Sequence, residues 1–323
     1  MNLTEQRSPD RRQFLAAGAL ALASSTLVSA DEPKPIIALD AHTHFYDPTR
    51  PQGVPWPGKD DKRLYRRVLP AEFKDLTKKH NVRSTIVVEA SPWLEDNQWL
   101  LDLARKEPFI VGVVGRLDPA QADFAKNLAR FVRDPVFRGI RVNHAELRKG
   151  IEQKAFLDNL RLLVKHDREL DLNGGLDLPA DVERLARAIP DLRIVINHAA
   201  NLRIDGNAPP ENWLKGMRAA AAGKNVYCKV SALVEGTGRK RGDVPANGEH
   251  YRPILDALWD LFGENRLIYG SNWPVSENAA PYATVFEIVH AYFRKRGAVA
   301  AEKFFERNAV AAYKPADRNR KPM

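Results

Sequence analysis

The chain has 323 residues, 44% hydrophobic and 28% charged, which excludes bulk disorder and suits one large domain such as an α/β barrel of about 250 residues. Its one cysteine, Cys228, excludes a disulfide framework and a multi-cysteine metal centre. The 50 Lys and Arg residues outnumber the 41 Asp and Glu by nine, but they are scattered along the chain, so no nucleic-acid partner is expected.

The first segment reads as an address. Arg11-Arg12-Gln13-Phe14-Leu15 precedes the uncharged, small-residue stretch Ala16–Ala30, which ends in Val28-Ser29-Ala30. A basic start, an apolar middle and a small-residue end make an export signal, and the paired arginines resemble a twin-arginine signal. Residues 1–30 are therefore expected to be removed. The mature protein is expected in the periplasm or otherwise outside the cytoplasm, without stable membrane insertion.

From residue 36 onward, β-branched runs alternate with stretches of helical spacing. Strands are predicted at 36–45, 82–91, 109–118, 137–144, 170–177, 192–199, 226–235 and 266–274. Helices are predicted at 70–80, 96–106, 120–133, 152–168, 180–188, 211–222, 251–262, 279–296 and 299–313. Eight such units imply a single-domain (β/α)8 TIM barrel over residues 31–314. An open doubly wound sheet would carry a Gly-rich turn after its first strand, whereas Tyr46-Asp47-Pro48 stands there. Residues 46–69, with Trp56, and residues 236–249 read as long loops suited to lids or substrate contacts. Residues 315–323 read as a frayed tail.

In a barrel the chemistry gathers at the C-terminal strand ends. His42 and His44 are two residues apart on the first strand, hence on one face, where two imidazoles can converge on one ion. His198 ends the sixth strand and adds a third ring. This set calls for a divalent metal, zinc in first place, weakly bound or dispensable. The eighth strand ends in a polar pair, Ser271 and Asn272, beside Gly270, where something can approach closely. Strand phase turns Arg141 and Lys229 inward, toward a substrate carboxylate or into buried pairs with Glu89 or Asp177. Cys228 lies on the opposite, apolar phase and reads as core.

His42-x-His44, His198 and Gly270-Ser271-Asn272-Trp273-Pro274-Val275 together resemble the amidohydrolase superfamily, amidohydrolase-2 type. That type includes sugar-acid lactonases and 2-pyrone-4,6-dicarboxylate lactonase. Cys228-Lys229-Val230-Ser231 and Gly139-Ile140-Arg141 are similar to two further segments of the type, and the resemblance spans about residues 36–313. It implies a hydrolase that opens a lactone or related ester of a sugar acid, acting on a small anionic or sugar-derived substrate. A non-oxidative decarboxylase and a non-catalytic binding barrel are the alternatives. The family's strand-eight aspartate, which takes a proton from the attacking water, is Asn272 here. A carboxamide cannot accept that proton. Glu89 and His144 are the leading substitutes as base; Asp118, Asp177 and Glu235 also close strands. Trp273 is assigned to the substrate.

Overall fold

Val, Ile and Leu fill one phase of nearly every predicted strand, and in the computed structural model, which describes residues 35–317, that phase packs against a ring of helices. The strands are β1 (Ala38–Thr43), β2 (Val82–Val88), β3 (Ile110–Gly115), β4 (Phe137–Asn143), β5 (Glu169–Asn173), β6 (Ile194–Ile196), β7 (Val226–Val230) and β8 (Leu267–Tyr269). All pair in parallel, in chain order. Beyond β8 the chain returns to β1, with Asn272 N donating to His42 O and His44 N to Trp273 O, each at 2.9 Å. The result is the nearly closed eight-stranded barrel that the alternation implied. The predicted export signal lies outside the described residues.

The helices that cover the barrel are α1 (Pro70–Thr77), α2 (Leu94–Lys106), α3 (Phe124–Phe131), α4 (His144–Gly150), α5 (Lys154–Lys165), α6 (Leu178–Ala188), α7 (Glu211–Ala221), α8 (Leu233–Gly236), α9 (Arg252–Phe262), α10 (Tyr282–Lys295), α11 (Ala298–Glu302) and α12 (Asn308–Tyr313). The short α4 and α8 were not predicted. In α4, Glu146 Oε2 accepts from Asn143 N at 3.1 Å, which ends the strand and starts a helix one residue before the expected strand end.

Inside the barrel, Leu39, Ala41, Ile86, Val88, Val114, Val195 and Ile268 form a second apolar cluster, closed by Ala309, Ala312 and Tyr313 of α12. Arg138 Nε and Arg193 Nε donate to the carbonyls of Tyr313 and Ala312 and fasten this plug. Ala316, in the segment expected to fray, donates its N–H to Val111 O at 2.9 Å.

One irregularity sets the position of the site. Asp40 pairs with Thr85 and Thr43 with Val87, so β1 carries an extra residue between them. This bulge changes the phase of β1. Leu39 and Ala41 face the barrel interior below it, and His42 and His44 face inward above it. Asp40 points to the helix side, where it accepts from His42 N, Ser271 N and the Tyr282 hydroxyl. Burial pushes its carboxyl up to about 6, against the pull of the bonds from Ser271.

Candidate active site

At the C-terminal end of the strands lies a cavity of about 580 Å3, in the size range of small-molecule sites. Its lining includes His44, Trp56, Glu89, Arg116, Arg141, Glu146, His198 and Asn272.

The three predicted histidines come together. The His42 ring centroid lies 5.0 Å from that of His44 and 4.4 Å from that of His198, and all three are buried. Gly270 permits this, because a Cβ there would stand 2.8 Å from the Cβ of His42. Each ring is oriented by its second nitrogen. His44 Nδ1 donates to the Val88 carbonyl at 2.9 Å, which fixes Nε2 as a lone pair. His198 Nδ1 meets Ser231 Oγ at 2.7 Å. Lys229 Nζ donates to His42 Nδ1 at 3.2 Å, which places that ring's own proton on Nε2. His42 Nε2 is buried without a partner among the described residues and is an unspent donor.

Burial holds all three rings neutral. It takes His44 down to about 3, with the Arg141 charge adding to the effect. It takes His42 and His198 well below the ordinary histidine value, with Lys229 as the next cause for both.

This donor set does not match a resident dication. His42 carries its proton on the nitrogen a metal would need, and the cation that puts it there is Lys229. The strand-eight ligand position is the neutral Asn272. Among the described residues no group of three or more His, Cys, Asp or Glu side chains is arranged to hold a metal. The rings converge as predicted, but on a space that favours a polar ligand atom over an ion.

Lys229 does face the barrel interior. Its partner is Asp171, at 2.6 Å, and both side chains are fully buried. Burial pulls the lysine below its ordinary value while the Asp171 charge works against this. Asp171 also accepts from the Tyr313 hydroxyl at 2.7 Å, and Glu169 lies beside it, its carboxyl pushed far up by burial and by the Asp171 charge. The expected substrate contact at Lys229 is therefore replaced by an internal pair, and the pair is with Asp171 and not Asp177.

Arg141 reaches the cavity, but Glu89 accepts from its Nε at 2.8 Å and the Glu89 carbonyl from its Nη2 at 2.8 Å. The second Glu89 oxygen accepts from Ser91 N. Glu89 thus stands at the cavity wall with both oxygens in hydrogen bonds, to Arg141 and to Ser91 N. His144 opens α4 and meets Asp181 at 2.8 Å, outside the cavity lining. Trp273 is fully buried against Phe45 and Phe73, and its Nε1 donates to Glu277; it belongs to the core and not to the substrate.

Trp56, Arg116 and Glu146 line the cavity without having been assigned a role from the sequence. Trp56, noted only as part of a long loop, reaches the cavity edge-on to His44, 6.0 Å between ring centroids. That loop is pinned at its base by a bridge between Tyr46 and Val68. Arg116 pairs with Glu146 beside the Arg141–Glu89 pair. The 236–249 loop supplies none of the lining.

Asn272 stands at φ +59°, the left-handed region. Its Nδ2 donates to Glu235 Oε1 at 2.8 Å, and the amide reaches the side chain of His44. His198, Ala199, Ala200 and Asn201 also have positive φ, from +48° to +57°, so β6 ends in a left-handed turn. Backbone strain of this kind is held at sites where geometry matters more than stability.

Comparison with known proteins gives the following. The profile of the amidohydrolase family matches residues 39–314. An L-fucono-1,5-lactonase from Burkholderia ambifaria is 35% identical over 247 residues, 76% of this chain and 82% of that protein. An L-fucono-1,5-lactonase from Burkholderia multivorans is 30% identical over 275 residues, 80% of this chain and 90% of that protein. Among solved structures, an amidohydrolase from Burkholderia multivorans with bound zinc has a TM-score of 0.76 and 27% identity, covering 86% of this chain and 99% of that one.

Proposed function

The chain belongs to the amidohydrolase family and is a hydrolytic enzyme, and from that footing we propose that it opens the ring of an uncharged sugar-acid lactone by water attack. The observation that carries the finer reading is the state of the charges at the mouth. Arg141 is bound by Glu89 and Arg116 by Glu146, so neither cation is free to receive a carboxylate. A mouth of paired donors and acceptors suits ring hydroxyls, each of which gives and takes a hydrogen bond. Both lactonase relatives, named for L-fucono-1,5-lactone, point the same way.

In this reading the lactone carbonyl oxygen, where negative charge grows as water adds, settles over the histidine cluster, with the Nε2–H of His42 just beneath the cavity lining as its donor. His44 Nε2 and Asn272 Oδ1 are acceptors that hold the attacking water. Trp56 covers one face of the ring. The water gives up a proton as it adds, the C–O bond to the ring oxygen breaks, and the ring oxygen takes that proton, leaving a hydroxy acid.

A panel of aldono-1,5-lactones, L-fucono-1,5-lactone among them, run beside 2-pyrone-4,6-dicarboxylate and followed by acid release, tests this. Turnover of the neutral lactones with no turnover of the dicarboxylate is expected. Absence of hydrolysis across the panel would end the reading. Chelator treatment is expected to change the rate by less than about twofold, because the donor set does not fit a resident dication. Export belongs to the same proposal: the Arg11-Arg12 segment and Val28-Ser29-Ala30 support a mature chain that starts near Asp31. N-terminal sequencing of protein from the native host would show intact Met1 if this is wrong.

A further inference from the structure

Water attack on an ester calls for a proton acceptor near the incoming water, and the end of strand eight offers only an amide. A carboxylate stands directly behind that amide. Glu235, on α8 just past β7, accepts from Asn272 Nδ2 at 2.8 Å through Oε1. Its other oxygen, Oε2, is buried and has no hydrogen-bond partner among the described residues. A carboxylate can only accept, so it decides which end of Asn272 it meets: Nδ2 turns back to Glu235 and Oδ1 is left for the cavity.

We infer that Glu235 is a positioning residue for the lactone-opening site: it carries, one element away, the negative charge missing from strand eight, and it holds the Asn272 amide with its oxygen toward the water. The inference rests on the lactonase reading for its kinetic arm only. The Asn272–Glu235 pair is a carboxamide facing the site with a carboxylate behind it. The same hydrogen bond is made by the exchanged pair, an aspartate at 272 with a glutamine at 235. Placing an aspartate at 272 alone sets two carboxyl groups at hydrogen-bond distance in a buried place, where they share one proton and repel once rising pH removes it.

Burial pushes the Glu235 carboxyl up to about 7, against the bond from Asn272. The groups that face it are Asn272, which is neutral, and Tyr251 from the turn Gly248–Tyr251, whose phenol the Glu235 charge helps to raise. Below its pKa, Glu235 carries a proton it can donate to Asn272 Oδ1, and the amide is free to turn its nitrogen to the cavity.

A double-mutant cycle on the full chain tests the inference, with thermal melting from pH 5.5 to 8.5 and kcat/KM on the fastest lactone as readouts. Asn272→Asp is expected to melt below wild type by a margin that widens as pH rises, and to lose at least about tenfold in kcat/KM. Adding Glu235→Gln to it is expected to restore melting to within ~2 °C and most of the rate. Glu235→Gln alone is expected to lose about tenfold, because glutamine can also donate to Oδ1. Wild type is expected to rise in kcat/KM with pH through neutrality, and this variant should lose that rise. If Asn272→Asp is as stable as wild type at pH 8 and as fast with Glu235 in place, the inference is overturned. It is likewise overturned if Glu235→Gln leaves both the rate and the pH profile unchanged. The melting arm needs no substrate. Coupling in the melts with no hydrolysis of any lactone would sink the lactonase reading and leave the pair intact.

Discussion

Lys229 shows how much one buried charge commits its neighbours. It spans Asp171 and His42, and Asp171 in turn stands beside Glu169, whose two oxygens have no other partner among the described residues. Removing the cation by Lys229→Met leaves two acids stacked in the barrel and is expected to cost about 3–5 kcal/mol in denaturant unfolding. Lys229→Met with Asp171→Asn should cost clearly less than the sum of the two single changes. Simple additivity would show that the pair is not coupled. At Glu235 the sign with pH runs the other way from an ordinary salt-bridged acid. Its pKa is raised by burial from 4.5 to about 7, so the folded state keeps a proton that the unfolded chain releases between those values. Wild type therefore loses up to about 3 kcal/mol from this group as pH rises from 4.5 to 7, and Glu235→Gln does not. Melting of Glu235→Gln relative to wild type is expected to improve steadily across that window. A constant difference would show that the carboxyl is not perturbed.

Strand ends, more than strand bodies, make this site, and they are where sequence pattern carries least. Period-two apolar phase located all eight strands, because burial on the helix side demands it, and it turned Arg141 and Lys229 inward correctly. Pattern could not show the extra residue in β1, since a bulge keeps the composition of a strand and changes only its register. Nor could it show which acid neutralises which base. Asp171 and Glu169 were hidden because they share β5 with Leu170 and Leu172, which gave the apolar signal. Trp273 misled because a motif residue can be kept for the core. The left-handed positions were silent as well, none of those at the strand ends being glycine. Ala232, at φ +53° ahead of α8, is one that can be tested. A Cβ in that region costs about 1–2 kcal/mol, and glycine gives back up to about 1 kcal/mol in unfolded-state entropy. Ala232→Gly is therefore expected to raise stability by roughly 0.5–1 kcal/mol in urea unfolding. A loss of stability would mean that the alanine methyl is needed to seat α8 and, with it, Glu235.

At the scale of the whole molecule, the excess of nine positive charges and the neutrality of the mouth make opposite demands on a substrate. A basic protein attracts anions from a distance, and such steering falls steeply as salt shortens the Debye length from about 30 Å at 0.01 M to about 8 Å at 0.15 M. An uncharged lactone has no charge for the field to act on, and inside the cavity Arg141 and Arg116 already hold carboxylates. The reaction reverses this relation, because its product is a carboxylate. That product meets no free cation at the mouth, which favours release over retention. For a neutral ring, kcat/KM is expected to vary by less than about twofold as sodium chloride rises from about 20 to about 500 mM, and added hydroxy-acid product should inhibit only weakly. A fall in kcat/KM of more than about tenfold over the same range would mean that the substrate arrives charged. In that case Arg141 or Arg116 must exchange its carboxylate for the substrate's, and the pairs seen at the mouth would be the resting state of an anion site.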